Sequence, residues 1–115
     1  MRAAQITAVV LALVFLPLGV AELAAVPAMR QAAAHLDMST GLYRVVGALE
    51  VAGAAGLLLG LASFPLAAAA ATELAVLMTG AAVVHLRHGD PPVRALTAAV
   101  LALAAVAYAG LSAAA

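Results

Sequence analysis

The chain has 115 residues, 68% hydrophobic and only 9% charged, with no formal net charge, no lysine and no cysteine. A soluble domain of this size has too little interior to hide so much apolar side chain, and soluble domains carry roughly a quarter charged residues, so the solvent here is lipid. The charge balance excludes a basic nucleic-acid surface. The lack of cysteine excludes disulfides, thiol redox chemistry and thiolate metal sites.

The first apolar run is Ile6–Val26, ending at Pro27. Like the three that follow, it is close to the roughly 20 residues that cross about 30 Å as a helix. Met1-Arg2, the apolar stretch and Val26-Pro27-Ala28 loosely resemble a cleavable signal. The run exceeds the roughly 7–15 apolar residues of such signals, so we expect it to be retained as a span. Pro27–Arg44 is amphipathic: Met29, Ala33 and Leu36 share one helical face, whereas Arg30, Gln31 and His35 point elsewhere. This pattern predicts a short interfacial helix starting at Pro27, with Ser39 or Thr40 as the cap of the next helix.

The second run is Val45–Phe64, and the third, Leu66–His85, follows after only Ser63-Phe64-Pro65. So short a turn makes the two an antiparallel hairpin. Arg87–Pro92 is a second short turn, in which Asp90 followed by Pro91 suits an N-cap with proline at the first helical position. The fourth run is Ala95–Ala113. The runs are continuous rather than alternating, and rich in Ala and Leu, which favours helix over strand. The expected fold is all-α: a four-transmembrane-helix bundle in one membrane domain, residues 1–115, with an interfacial helix between spans one and two. Tyr43 and Tyr108 lie near span ends, where aromatic side chains commonly sit at the membrane–water boundary. The loops after spans one and three carry Arg30, Arg44, Arg87 and Arg94, against Arg2 alone on the other side. Positive-inside counting puts those loops in the cytoplasm and both termini outside.

Ionisable groups inside spans are costly and are functional candidates by default. Glu22, Arg44, Glu50 and His85 all fall in the Arg-bearing half of the bundle. Glu50 lies roughly 9 Å deeper than Arg44 on the same helix, and Glu73 roughly 18 Å deeper than His85, past the bilayer centre. Arg44 is the expected cation for Glu22 or Glu50, because guanidinium binds carboxylate bidentately. Each glutamate also has a plainer role open to it: Glu50 as a hydrogen-bonding group that fixes register, Glu22 as an interfacial group reaching water, Glu73 as a neutral acid. Gly53, Gly56 and Gly60 cluster on the side of span two that carries Glu50, one turn after Gly47, and Gly80 follows Glu73 by two turns on nearly the same face. Such small residues let helices approach closely in lipid. His85 and His88, with Asp90 nearby, lack a full zinc ligand set; we expect a capping and headgroup role and no metal.

Gly19-Val-Ala-Glu-Leu23, His35-Leu36 before Gly41, Arg44-Val-Val-Gly-Ala-Leu-Glu-Val-Ala-Gly-Ala-Ala-Gly-Leu57 and Gly80-Ala-Ala-Val-Val-His-Leu86 together resemble the DoxX-like family of small bacterial membrane proteins. The most specific element is Gly47-x-x-Glu50-x-x-Gly53. The resemblance covers nearly the whole chain and implies a compact bundle of four transmembrane helices in the bacterial cytoplasmic membrane. It also implies association with membrane redox complexes, the family name deriving from a thiosulfate:quinone oxidoreductase, although most members have no established activity. One position departs from the family pattern: Glu22 stands where a lysine is usual. A Lys–Glu pair between spans one and two would become Glu–Glu, with Arg44 left to supply the positive charge.

Three functions follow for testing. The first is an accessory or quinone-associated subunit of a membrane redox complex. It would have no intrinsic cofactor and no catalysis of its own, and would rely on a quinone or a redox protein partner. The second is a structural or assembly protein, alone or as a homo-oligomer. The third is a proton or small-solute pathway lined by Glu22, Glu50 and Glu73.

Overall fold

The computed structural model describes residues 2–114. Among the described residues there are five helices and no strand: α1 (Ala3–Leu23), α2 (Pro27–His35), α3 (Thr40–Leu59), α4 (Phe64–Arg87) and α5 (Pro92–Ala114). All but α2 are long and apolar enough to cross a membrane. The short α2 stands where the amphipathic stretch predicts it, with Pro27 in its first turn.

Helix α3 begins earlier than the apolar run because Ser39 caps it, its Oγ accepting from the Leu42 N–H at 3.0 Å. Tyr43 and Arg44 are therefore helical and take part in packing. The helix also ends earlier, at Leu59. Its last turn tightens: Gly60 N–H donates to Gly56 O and Leu61 N–H to Leu58 O, which passes over the carbonyl of Leu57. Tyr108 on α5 satisfies that carbonyl, its hydroxyl donating to Leu57 O at 2.6 Å. Tyr108 is thus fully buried and not a boundary aromatic. A helix end leaves carbonyls that must find donors, and in lipid no water supplies them.

The helices form a closed ring of neighbours. α1 lies along α3, α3 against α4, α4 along α5, and α5 returns more lightly to α1, while α2 rests on the ends of α1 and α3. Phe15, Leu57, Leu74 and Tyr108 fill the centre among small side chains such as Ala8, Ala54, Ala67 and Ala105. Leu13, Leu59, Val76 and Leu103 point outward on the bundle surface, as a lipid-facing surface requires.

Three helices end in the same way at one end of the bundle. After α1, Ala25 (φ 52°) takes the left-handed conformation; after α2, Asp37 (φ 55°); after α4, Gly89 (φ 68°). In each, the next residue's N–H reaches back to a carbonyl of the last turn: Val26 to Ala21, Met38 to Ala33 and Asp90 to His85. These are Schellman turns. They aim the side chains of Asp37 and Asp90 toward neighbouring helices.

Candidate functional site

The site starts from two glycines. Helices α1 and α3 cross at Gly19 and Gly47 so closely that a Cβ on Gly47 would lie 2.7 Å from Gly19 O, and one on Gly19 would lie 2.8 Å from Gly47 O. Only residues without a Cβ permit this approach. Glu22 is one turn beyond Gly19, and Glu50 one turn beyond Gly47, so the crossing brings their side chains together. Both are buried, at 3% and 2% exposure, and their carboxyls are close neighbours. Two carboxyls this close and this buried cannot both carry charge, so the pair is stable only while at least one keeps its proton. Glu22 Oε1 and Glu50 Oε2 are buried with no other protein donor. Glu22 on α1 therefore meets Glu50 on α3 as a carboxyl pair.

Arg44 does not pair with either glutamate. Its Nε donates to Leu23 O at 2.9 Å. That carbonyl would ordinarily accept from the residue four positions on, which is Pro27 and has no N–H. A cation there also suits the negative end of α1. The orphaned carbonyl, available only in the folded chain, outcompetes the carboxylates for the guanidinium.

The carboxyl pair borders a cavity of about 480 Å³ between the four long helices. Its walls are mainly apolar, including Leu18, Leu77 and Leu101, and Leu36 and Met38 from the α2–α3 connection form part of its rim. The remaining polar lining is Tyr43, His85, Arg94 and Thr97. Size and lining are those of a site for a small amphipathic molecule. Gly80 belongs to this cavity and not to a helix contact: a Cβ there would meet nothing within 4 Å. By contrast, Gly53 and Gly56 of α3 pack against Leu74 and Ala70, and Gly60, just past the end of that helix, against Ala67. Glu73 stands apart. It is half-buried, does not line the cavity, and its Oε1 has no partner. A smaller hollow of about 330 Å³ at the opposite end, lined by Arg2, Gln5, Ser63 and Ser112 among others, contains none of these glutamates.

Behind His85 and Arg94 on the cavity wall lies a polar network that spacing alone does not reveal. Asp90 is not the N-cap of α5, which begins at Pro92. Its side chain is 4% exposed, with His35 Nε2 on Oδ1 and His85 Nδ1 on Oδ2, each at 2.5 Å, and Arg94 at 4.0 Å. The bonds from His85, then His35, hold the Asp90 carboxyl down at about 2. His88 reaches Val84 O through Nδ1 at 2.8 Å and Asp37 Oδ2 through Nε2 at 3.2 Å. Both partners are acceptors, so both ring nitrogens must carry hydrogens. The Val84 carbonyl and then Asp37 raise the His88 pKa accordingly. No group of three or more metal-ligating side chains converges among the described residues.

Neither the curated proteins nor the solved structures contain a match to the chain. A family model for the DoxX-like family matches residues 6–107. With four membrane-spanning helices and nearly its whole length inside that match, the chain is a multi-pass membrane protein of the DoxX-like family.

Proposed function

We propose that this protein binds an amphipathic, lipid-soluble ligand of the quinone class and serves as an accessory subunit of a redox complex in the bacterial cytoplasmic membrane. One observation carries the reading: a buried carboxyl pair, unserved by any other protein donor, borders a mainly apolar cavity of about 480 Å³. With one carboxyl protonated and the other ionised, such a pair can both donate to and accept from a ring carbonyl or hydroxyl. The apolar walls suit the ring and the start of a lipid tail. Electrons would come from a protein partner, since the chain has no cysteine for a thiol or cluster centre. Following the arginine bias, the loops holding Arg30, Arg44, Arg87 and Arg94 face the cytoplasm.

The test is chemical analysis of protein purified in mild detergent. Solvent extraction should release a quinone in near-stoichiometric amount from the natural chain. Gly80→Leu, whose Cβ meets nothing within 4 Å and whose side chain occupies the cavity, should release little while remaining folded. A natural chain that carries no quinone and binds none when it is added would overturn the reading.

The assembly reading draws on a different observation, the run of close glycine contacts along α3. It expects Glu50→Gln and Glu50→Leu to support function equally, whereas the ligand reading expects Leu alone to abolish it.

A further inference from the structure

We propose that His85 and Asp90 form an acid–base dyad for the occupant of the cavity, with His85 Nε2 the atom that exchanges a proton with its polar head. The proposal rests on the ligand-binding reading above and adds a named proton site to it.

The chemistry follows from what Asp90 can do. An ionised carboxylate only accepts hydrogen bonds, so His85 Nδ1, at 2.5 Å from Asp90 Oδ2, must be the donor. Neutral His85 is thereby held with its hydrogen on Nδ1 and a lone pair on Nε2. Protonated His85 presents Nε2–H instead. A carboxylate that fixes the tautomer and orientation of an imidazole is a recurrent acid–base arrangement. The backbone reinforces it. The turn after α4 places Asp90 N–H on His85 O at 3.1 Å, so Asp90 is fastened to His85 through both main chain and side chain. Asp90 Oδ1 is occupied by His35, which leaves the carboxylate no freedom to rotate away.

His85 is placed for this use. It borders the cavity, and its side chain is 23% exposed. Nε2 has no protein partner among the described residues, and it is not sealed off as Glu22 Oε1 and Glu50 Oε2 are. His35, on the outer side of Asp90, is 50% exposed, so the dyad sits between water and the cavity. The other charged or titratable groups around it are Asp90, Arg94 and His35 at the turn and Tyr43, Glu50 and Glu22, which line the same cavity; His88 directly follows α4.

The step moves one proton and no electrons. With a ring hydroxyl as the head, the O–H bond breaks, its electron pair stays on oxygen, and a new bond forms at Nε2. The product is an oxyanion beside an imidazolium, which Asp90 stabilises from the other side. The reverse step returns the proton.

A suitable probe is 2-hydroxy-1,4-naphthoquinone, whose visible absorption reports its ionisation. Titrated as its anion into the purified full chain near neutral pH, it should bind with uptake of one proton, read from the dependence of the binding enthalpy on the buffer. His85→Gln should still bind the probe, roughly tenfold more weakly for loss of one charge-assisted hydrogen bond, and without proton uptake. Asp90→Asn should lose most of the uptake and let the His85 tautomer relax, seen in ¹⁵N-histidine spectra. His35→Gln should retain the uptake. Unchanged proton uptake in His85→Gln would overturn the dyad while leaving ligand binding intact. Failure of the natural chain to bind the probe would overturn the binding reading, and the dyad with it.

Discussion

The glycine crossing and the helix-ending turns hold their acidic groups by opposite means. On the α1–α3 side, Glu22 and Glu50 are positioned by main chain pressed against main chain at Gly19 and Gly47. At the turn side, Asp37 and Asp90 are positioned by helix-ending turns and held by histidines. The first arrangement is dry and rigid. Anything added there meets backbone that cannot yield, and the two carboxyls cannot both be charged. The second is near water and rests on side-chain bonds that change with protonation. The contrast indicates a division of labour, a fixed polar floor and an adjustable polar rim around one apolar cavity.

The sharpest way to break the comparison is at the glycine crossing. Gly47→Leu would place a Cβ 2.7 Å from both Gly19 O and Leu23 N, so α1 and α3 must separate along their length. Overpacking of this kind costs about 1–3 kcal/mol, and more where only backbone can move. Detergent-solubilised Gly47→Leu should show a markedly lower unfolding midpoint by circular dichroism and lose the carboxyl pair. Gly53→Ala meets only the Leu74 side chain, which can turn, and should be milder. Gly80→Ala meets nothing and, being helical, should be neutral or slightly stabilising. A Gly47→Leu protein as stable as Gly80→Ala would show that the crossing is not what positions the pair.

Next in size is the pair itself. Glu50→Leu strands the Glu22 carboxyl in an apolar site, at a cost of about 1–3 kcal/mol. Glu50→Gln keeps a donor toward Glu22 and should lose much less. Equal losses in a chemical-denaturant titration would mean that the two side chains do not rely on each other. At the far end of α3, Tyr108→Phe leaves Leu57 O without a donor in surroundings that exclude water. A loss of about 1–3 kcal/mol by the same titration is expected.

Much of this architecture is legible in the residues, and the missing parts share a cause. Run length and turn composition suffice for the spans, and the amphipathic face of Met29, Ala33 and Leu36 for α2, because these depend on local pattern. The meeting of Glu22 with Glu50 is legible only through the family's usual lysine at that position. The fate of Arg44 is not. It depends on a carbonyl orphaned by Pro27, a clue that is in the sequence but acquires meaning only when α3 lies beside it. The same holds for Asp90. The motif Asp-Pro suggests a cap, yet Gly89 permits a left-handed turn that sends the carboxylate back to His85 and across to His35. Tyr108 reads as a boundary aromatic until the end of α3 is seen to lack a donor.

The smallest expected effect sharpens the other half of the comparison. His88 donates from both ring nitrogens, to Val84 O and to Asp37, and only an imidazolium can do so. Its pKa is raised above the usual 6.5. The sign follows from linkage: a raised folded-state pKa adds stability that is complete below about 6.5 and is lost as pH rises through the higher folded value. Above it, one bond must go, and the Asp37 contact, longer and 87% exposed on the Asp37 side, is the weaker. The α2–α3 connection, which brings Leu36 and Met38 to the cavity rim, should then loosen. Amide hydrogen exchange at Asp37 and Met38, corrected for its intrinsic pH dependence, should quicken across that interval in the natural chain. In His88→Ala it should be quick throughout. Asp90 behaves oppositely: its depressed value, about 2, keeps the His85 and His35 contacts down to strongly acid conditions, so the turn itself should stay protected over the same interval. Uniform loosening of rim and floor together would show that the two sides of the cavity are one unit after all.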